Sequence, residues 1–145
     1  MTGEQRKALQ ALLNQHIPLA AAMQITLADA GDDRLTVTAP LAANANHYGT
    51  AFGGSLYTVA LVAGWGLASL KLDGRGMVVV QHADADYRRP VRQDLLATAR
   101  CRDDGRFAAD FADRGQAELD VTVTIEAGNR KAFELQARFA ARPLP

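Results

Sequence analysis

Gly53-Gly54-Ser55-Leu56-Tyr57-Thr58-Val59-Ala60-Leu61-Val62-Ala63-Gly64-Trp65-Gly66-Leu67-Ala68-Ser69-Leu70-Lys71-Leu72 is the stretch that decides the fold. It is apolar nearly all round, carries a single charge near its end and is closed by Asp73-Gly74-Arg75-Gly76. Its length is that of a membrane span, for which about 20 apolar residues suffice. Gly64 and Gly66 interrupt it, hydroxyls dot it, and amphipathic segments follow it. A helix buried at the centre of a soluble domain accounts for all of this better than a bilayer does.

Working outward, the residues after this helix are rich in strand signals. Met77 to Arg89, Leu95 to Asp103, Ala117 to Ala127 and Lys131 to Ala141 each alternate or carry β-branched side chains. Val121-Thr122-Val123-Thr124-Ile125 alternates most cleanly, and Gly128-Asn129 predicts a hairpin turn between the last two strands. Arg106 to Gly115 reads as a short helix in a connection. Before the central helix, Gln24 to Ala30 and Leu35 to Ala39 read as strands separated by the Gly31-Asp32-Asp33 turn. Thr2 with Gln5 predicts a capping box on an N-terminal helix whose Leu9, Leu12, Leu13 and His16 share a face, and Pro18 ends or restarts it. An antiparallel sheet of about six strands has one face to cover, and one long apolar helix covers it. The expected class is α+β, a hot-dog fold in which the sheet wraps around a central helix.

The totals agree with residues 1–145 forming one domain of 15.5 kDa. Sixteen basic and sixteen acidic residues cancel. No overall field draws nucleic acid or an anionic membrane surface, and an anionic partner requires a local patch. Cys101 is the only cysteine; its strand-like surroundings make it a packed side chain, not a nucleophile. No clustered His, Cys and carboxylate set offers a metal site. Met1 to Ala11 lacks the apolar core of a signal peptide, so a cytoplasmic protein is expected.

The loop from Leu41 to Phe52 contains Asn44, Asn46, His47, Gly49 and Thr50 and no acidic residue. It runs into Gly53-Gly54-Ser55, where the first N–H groups of the helix lack partners and carry partial positive charge. A thioester oxygen placed there meets donors aimed at developing negative charge, so the backbone N–H groups of Gly54 and Ser55 are the candidate oxyanion donors. The plainer alternative is that the glycines permit tight packing and Ser55 caps the helix.

The run Asn44-x-Asn46-His47-x-Gly49-Thr50-x-Phe52-Gly53-Gly54-Ser55, with Gly64-Trp65-Gly66 and Tyr87-Arg88-Arg89-Pro90-Val91, resembles the stand-alone bacterial hot-dog malonyl-acyl-carrier-protein decarboxylases. Members of that family also carry a thioesterase label. The resemblance runs from about Leu12 to the end of the chain; the Asn-rich loop is its specific part, and Tyr-Arg-Arg-Pro is shared more widely among hot-dog proteins. It implies that a loop asparagine is essential for decarboxylation. Aligned on the Gly-Gly pair, Asn46 sits where phenylacetyl-CoA-type hot-dog thioesterases place a loop asparagine, and Asn44 is the second choice. Either amide could instead tie the loop together in an Asx-turn.

Thioesterases of that type carry an Asp or Glu in an early turn of the central helix to activate water or attack the carbonyl. Here the corresponding stretch, Leu56 to Ala63, has none, and Leu61 or a neighbour stands in its place. Hydrolysis therefore lacks its usual base. Decarboxylation of a malonyl thioester needs none: the breaking carbon–carbon bond is held perpendicular to the thioester plane and the enolate oxygen is stabilised. An apolar pocket that desolvates the leaving carboxylate helps.

His47, Thr50, Phe52 and Gly53 are candidate substrate contacts, with His47 placed to meet the substrate carboxylate, protonate the enolate or simply shape the loop. Arg88, Arg89, Arg92 and Lys131 are candidates for a pantetheine phosphate or the acidic surface of a carrier protein. Tyr57 and Trp65 read as core or dimer contacts. The expected activity is malonyl-acyl-carrier-protein decarboxylation. A thioesterase and a non-catalytic thioester-binding module are the alternatives. No resident cofactor is expected, since pantetheine arrives with the substrate, an acyl-carrier-protein or CoA thioester. A homodimer or tetramer is expected because the helix is too apolar for one small sheet, and Gly64 and Gly66 would admit a partner element.

Overall fold

The computed structural model describes residues 2–145. Its elements are α1 (Gly3–His16), α2 (Pro18–Ala22), β1 (Thr26–Gly31), β2 (Arg34–Ala39), α3 (Leu41–Asn44), α4 (Gly53–Leu72), β3 (Met77–Tyr87), β4 (Leu95–Arg100), α5 (Arg106–Arg114), β5 (Ala117–Ala127) and β6 (Arg130–Arg142). Six antiparallel strands form one sheet in the order β1-β2-β4-β5-β6-β3. The sheet wraps around α4, which is the hot-dog arrangement.

Alternation decides which face of each strand meets the helix. Along β5, Leu119, Val121, Val123 and Ile125 are buried while Glu118, Asp120 and Thr122 face solvent. Leu35, Val37, Leu95, Leu135 and Phe139 complete that inner face, and Val59, Ala63 and Leu67 press onto it from α4. The helix is apolar enough to cross a membrane by length and composition, yet 56% of its apolar window is buried within the fold.

Gly64 and Gly66 serve the subunit's own core, which corrects the expectation that they admit a partner. A Cβ on Gly64 would lie 2.7 Å from the ring of Phe139, and one on Gly66 would lie 2.8 Å from Leu35 Cδ2. They let α4 settle onto the sheet. Two further expectations are corrected. Leu13 is the buried residue of α1, whereas Leu12 and His16 are exposed, because a single narrow stripe of the helix reaches the core. The loop before α4 opens with the helical turn α3, which buries Asn44.

The two edges of the sheet are managed differently. Along β1, Gln10 of α1 accepts from Leu27 N (2.7 Å) and donates to Ile25 O (3.0 Å), and Arg6 donates to Ala28 O (2.7 Å). Those polar side chains occupy the hydrogen-bonding edge that would otherwise recruit another strand. The opposite edge, β3, is eleven residues long and pairs only with β6. Its Val79 and Val80 are 39% and 45% exposed, and the adjoining α4 side chains Tyr57, Leu61, Val62 and Trp65 are only partly covered.

Candidate active site

The loop ahead of α4 is a small closed hairpin. Asn46 N donates to Thr50 O (2.8 Å), Gly49 N donates to Asn46 O (3.2 Å), and Ala45 and Ala51 face each other as an isolated antiparallel bridge. The chain reverses at Gly49, whose φ of +82° lies in the left-handed region that side chains resist. Ala51 N donates to Val91 O (2.8 Å), which fastens the hairpin to the Tyr87–Val91 segment. Two of the three stretches of sequence that carry the family resemblance are thus in direct contact.

Asn44 and Asn46 occupy different environments. Asn44 is buried, and its Nδ2 donates to both Met23 O (3.0 Å) and Pro40 O (2.9 Å). Both of its amide hydrogens are committed, and its Oδ1 is buried without a donor among the described residues. An acceptor cannot stabilise an oxyanion, so Asn44 is arranged as a tie between loop, α3 and the end of α2. Asn46 is half-exposed. Its Oδ1 accepts from Tyr48 N (2.9 Å) and Thr50 N (3.2 Å), an Asx-type arrangement, while its Nδ2 donates to Thr50 Oγ1 (2.9 Å). An amide nitrogen has two hydrogens, so one on Asn46 stays available to a ligand.

At the start of α4 the free donors fall one residue earlier than expected. Ser55 N donates to Phe52 O (2.9 Å), as does Leu56 N (3.0 Å), so the Ser55 N–H is turned back on the chain. Phe52 at the N-cap makes no side-chain cap, and neither does Ser55, which is buried within the first turn. The N–H groups of Gly53 and Gly54 have no partner among the described residues, and they carry the positive end of a twenty-residue helix. The Phe52 ring, 58% exposed, lies over Gly54, where a Cβ would come within 2.6 Å of it.

Tyr87 reaches this point from β3, and its Oη donates to Gly53 O (3.0 Å). Burial first, and then the neighbouring Tyr57 phenol, push its ionisation above the usual tyrosine range, so it remains a proton donor at neutral pH. Nothing in the local sequence marks this contact, because the partners are 34 residues apart. His47 is exposed and lies against Tyr48, ring centroids 3.9 Å apart.

Among the candidate basic residues, Arg88 pairs with Asp86 (2.8 Å) and Lys131 pairs with Glu134. Arg89 and Arg92 are exposed, and their side chains have no partner among the described residues. Arg89 N joins Arg88 N on Ala132 O, which holds this bend in place.

Cys101 lies at the far end of the molecule, half-buried beside Asp33, with its thiol pushed up to about 12 chiefly by burial. At neutral pH it is a thiol, not a thiolate. Among the described residues no group of three or more His, Cys, Asp or Glu side chains is placed to hold a metal ion.

Comparison with known proteins agrees with this geometry. A hot-dog protein described as a putative thioesterase from Shewanella oneidensis is 27% identical; the match covers 98% of this chain and 100% of that one, with a TM-score of 0.88. A protein of unknown function from Chlorobaculum tepidum is also 27% identical over 95% of this chain and 94% of its own, with a TM-score of 0.87. A Haemophilus influenzae thioesterase, 20% identical over 96% and 91% of the two chains with a TM-score of 0.75, shares the fold. The family described as putative thioesterase (yiiD_Cterm) matches residues 6–143, and the chain belongs to that family of thioesterase-like hot-dog proteins.

Proposed function

We propose that this protein decarboxylates a malonyl thioester on acyl carrier protein, giving the acetyl thioester and carbon dioxide and supporting the initiation of fatty acid synthesis. One observation carries the reading. The loop and the helix it runs into supply N–H donors from Gly53, Gly54 and Asn46, but no carboxylate between Leu41 and Leu72. With the thioester oxygen on these donors, the bond to the leaving carboxylate breaks and its electron pair passes into the enolate. Carbon dioxide departs, and a proton from solvent completes the acetyl group. No base is needed before the bond breaks.

The family description favours hydrolysis as the second reading, since the same donors stabilise a tetrahedral oxyanion. Incubating the protein with malonyl- and acetyl-carrier protein separates the readings. Carbon dioxide release without free thiol is the expected result; free thiol from either substrate identifies a thioesterase, and binding without turnover a carrier module.

The working form in this proposal is a dimer built on β3. The edge of β1 is occupied by Arg6 and Gln10, whereas the outer edge of the eleven-residue β3 meets no strand among the described residues, is touched by Trp65 Nε1 at Val78 O (3.1 Å), and lies beside partly covered apolar side chains of α4. The occupant that matches an edge of this length and polarity is the same edge on a second copy, paired antiparallel about a two-fold axis. Sedimentation is expected to give a dimer at micromolar concentration; a stable folded monomer would remove the dimer from the proposal.

Carrier-protein docking falls to Arg89 and Arg92, the two arginines of the bend whose side chains have no partner among the described residues. Reversing either charge is expected to raise KM for malonyl-carrier protein by about tenfold while leaving malonyl-pantetheine nearly unchanged, as loss of an encounter charge does. Arg88, already paired with Asp86, should matter less. Equal losses on both substrates would exclude docking.

A further inference from the structure

We propose that Tyr87 is a positioning residue that strengthens the Gly54 N–H as a donor to the thioester oxygen. The inference rests on the reading that this oxygen sits at the start of α4. Gly53 C=O and Gly54 N–H are the two ends of one peptide group. Tyr87 Oη donates to that carbonyl at 3.0 Å, so the phenol, the peptide and the substrate oxygen form a chain of hydrogen bonds. A donor on the carbonyl draws electron density toward oxygen and makes the amide hydrogen more positive; such coupling strengthens a bond by about 10–30%.

Satisfaction of an orphan group does not account for this contact. In a helix that begins at Gly53, its carbonyl is already the acceptor for the N–H four residues on. Gly53 is only half-buried and Tyr87 is 53% exposed, so solvent could serve either group. The phenol is nevertheless held in place. Its ring lies 3.5 Å from where a Gly53 Cβ would stand and meets Phe133 edge-on, with centroids 4.9 Å apart and planes at 72°. Phe52 lies against Gly54 on the other side, so the polarised peptide has a ring at each of its two residues.

The test is Tyr87→Phe, which keeps the ring and removes the hydroxyl. In the free protein the Gly54 amide proton is expected to move upfield, with Gly53 and Ser55 little changed. With malonyl-carrier protein, kcat is expected to fall about three- to tenfold at unchanged KM, because the bond gains most where charge develops. Placing 3-fluorotyrosine at position 87, below the pH at which it ionises, supplies a stronger donor and should shift the Gly54 proton downfield. An unmoved Gly54 resonance in both variants overturns the proposal, as does a rise in KM at constant kcat. The amide shift needs no substrate. If the parent protein released no carbon dioxide, the functional reading would fail while the polarisation of the peptide could still be read.

Discussion

Asn46→Asp is expected to release carbon dioxide from malonyl-carrier protein about a hundred- to a thousandfold more slowly than the parent chain, the usual cost of losing one oxyanion donor. The variant is informative because the structure separates the two halves of the Asn46 amide. Its Oδ1 holds the loop through Tyr48 N and Thr50 N, and a carboxylate oxygen keeps both bonds. The amide nitrogen, whose second hydrogen is uncommitted, is what disappears. The Thr50 hydroxyl can reverse and donate to the new carboxylate, so the hairpin survives while the site gains a charge that repels malonate. Asn46→Ala also loses the loop bonds and therefore mixes two effects. Asn44→Ala should behave in the opposite way: it removes bonds to Met23 O and Pro40 O, costing about 1–3 kcal/mol of stability for each buried group left unpaired, with a smaller effect on turnover by the folded protein. Carbon dioxide release from labelled substrate, measured beside thermal unfolding, distinguishes them. Near-parental turnover by Asn46→Asp would sink the donor role, and loss confined to Asn44→Ala would move it two positions upstream.

The scaffold was legible wherever local chemistry decides it. The Gly-Gly start and the largely apolar run of twenty residues fix the bounds of α4, and Thr2 with Gln5 does form a capping box. The alternation in Val121–Ile125 names its buried face, and Arg106 to Arg114 is the helix expected in the connection. What stayed hidden depends on residues brought together across the fold. Arg6 and Gln10 look like an ordinary solvated helix face until β1 is placed beside them. Gly64 and Gly66 suggest a close neighbour, but only the sheet shows that the neighbours are Phe139 and Leu35. Two asparagines two residues apart look interchangeable, yet the turn at Leu41–Asn44 buries one and leaves the other facing out. Whether the Ser55 N–H is free depends on how the first turn closes onto Phe52 O, which composition does not encode.

Lys71→Met is expected to destabilise the fold by about 3–5 kcal/mol while leaving the chemistry of the folded protein almost untouched. Lys71 is nearly buried at the last turn of α4, with Nζ 2.7 Å from Asp33 Oδ1, 3.1 Å from Asp103 Oδ2 and 2.6 Å from Asp32 O. Asp103, whose side chain is 4% exposed, also accepts from Phe107 N (2.7 Å) at the start of α5. One ammonium therefore joins the β1–β2 turn, the end of α4, the end of β4 and α5. Methionine keeps the apolar stem but strands the Asp103 charge, which is what makes breaking a buried pair costly. Lys71→Met with Asp103→Asn should recover much of the loss, because the amide oxygen can still accept from Phe107 N and no charge is left unpaired. The pH dependence follows from the same contacts. The bond from Lys71 outweighs burial and lowers the ionisation of Asp33, so its contribution is present above the ordinary carboxylate range and lost as pH falls through the lowered value. Burial pulls Lys71 down, but Asp33 and Asp103 together raise it on balance; its contribution is complete below the ordinary lysine range and lost as pH rises through the raised value. Lys71→Met should accordingly flatten the fall in unfolding midpoint on the acid side. Position 71 lies about 27 Å along the helix from Gly53 at 1.5 Å per residue, so kcat measured well below the midpoint should match the parent. A midpoint unchanged from the parent would mean that the ammonium and its carboxylates do not hold the four elements together. A fall in kcat without loss of stability would mean that this end of α4 communicates with the donors at its start.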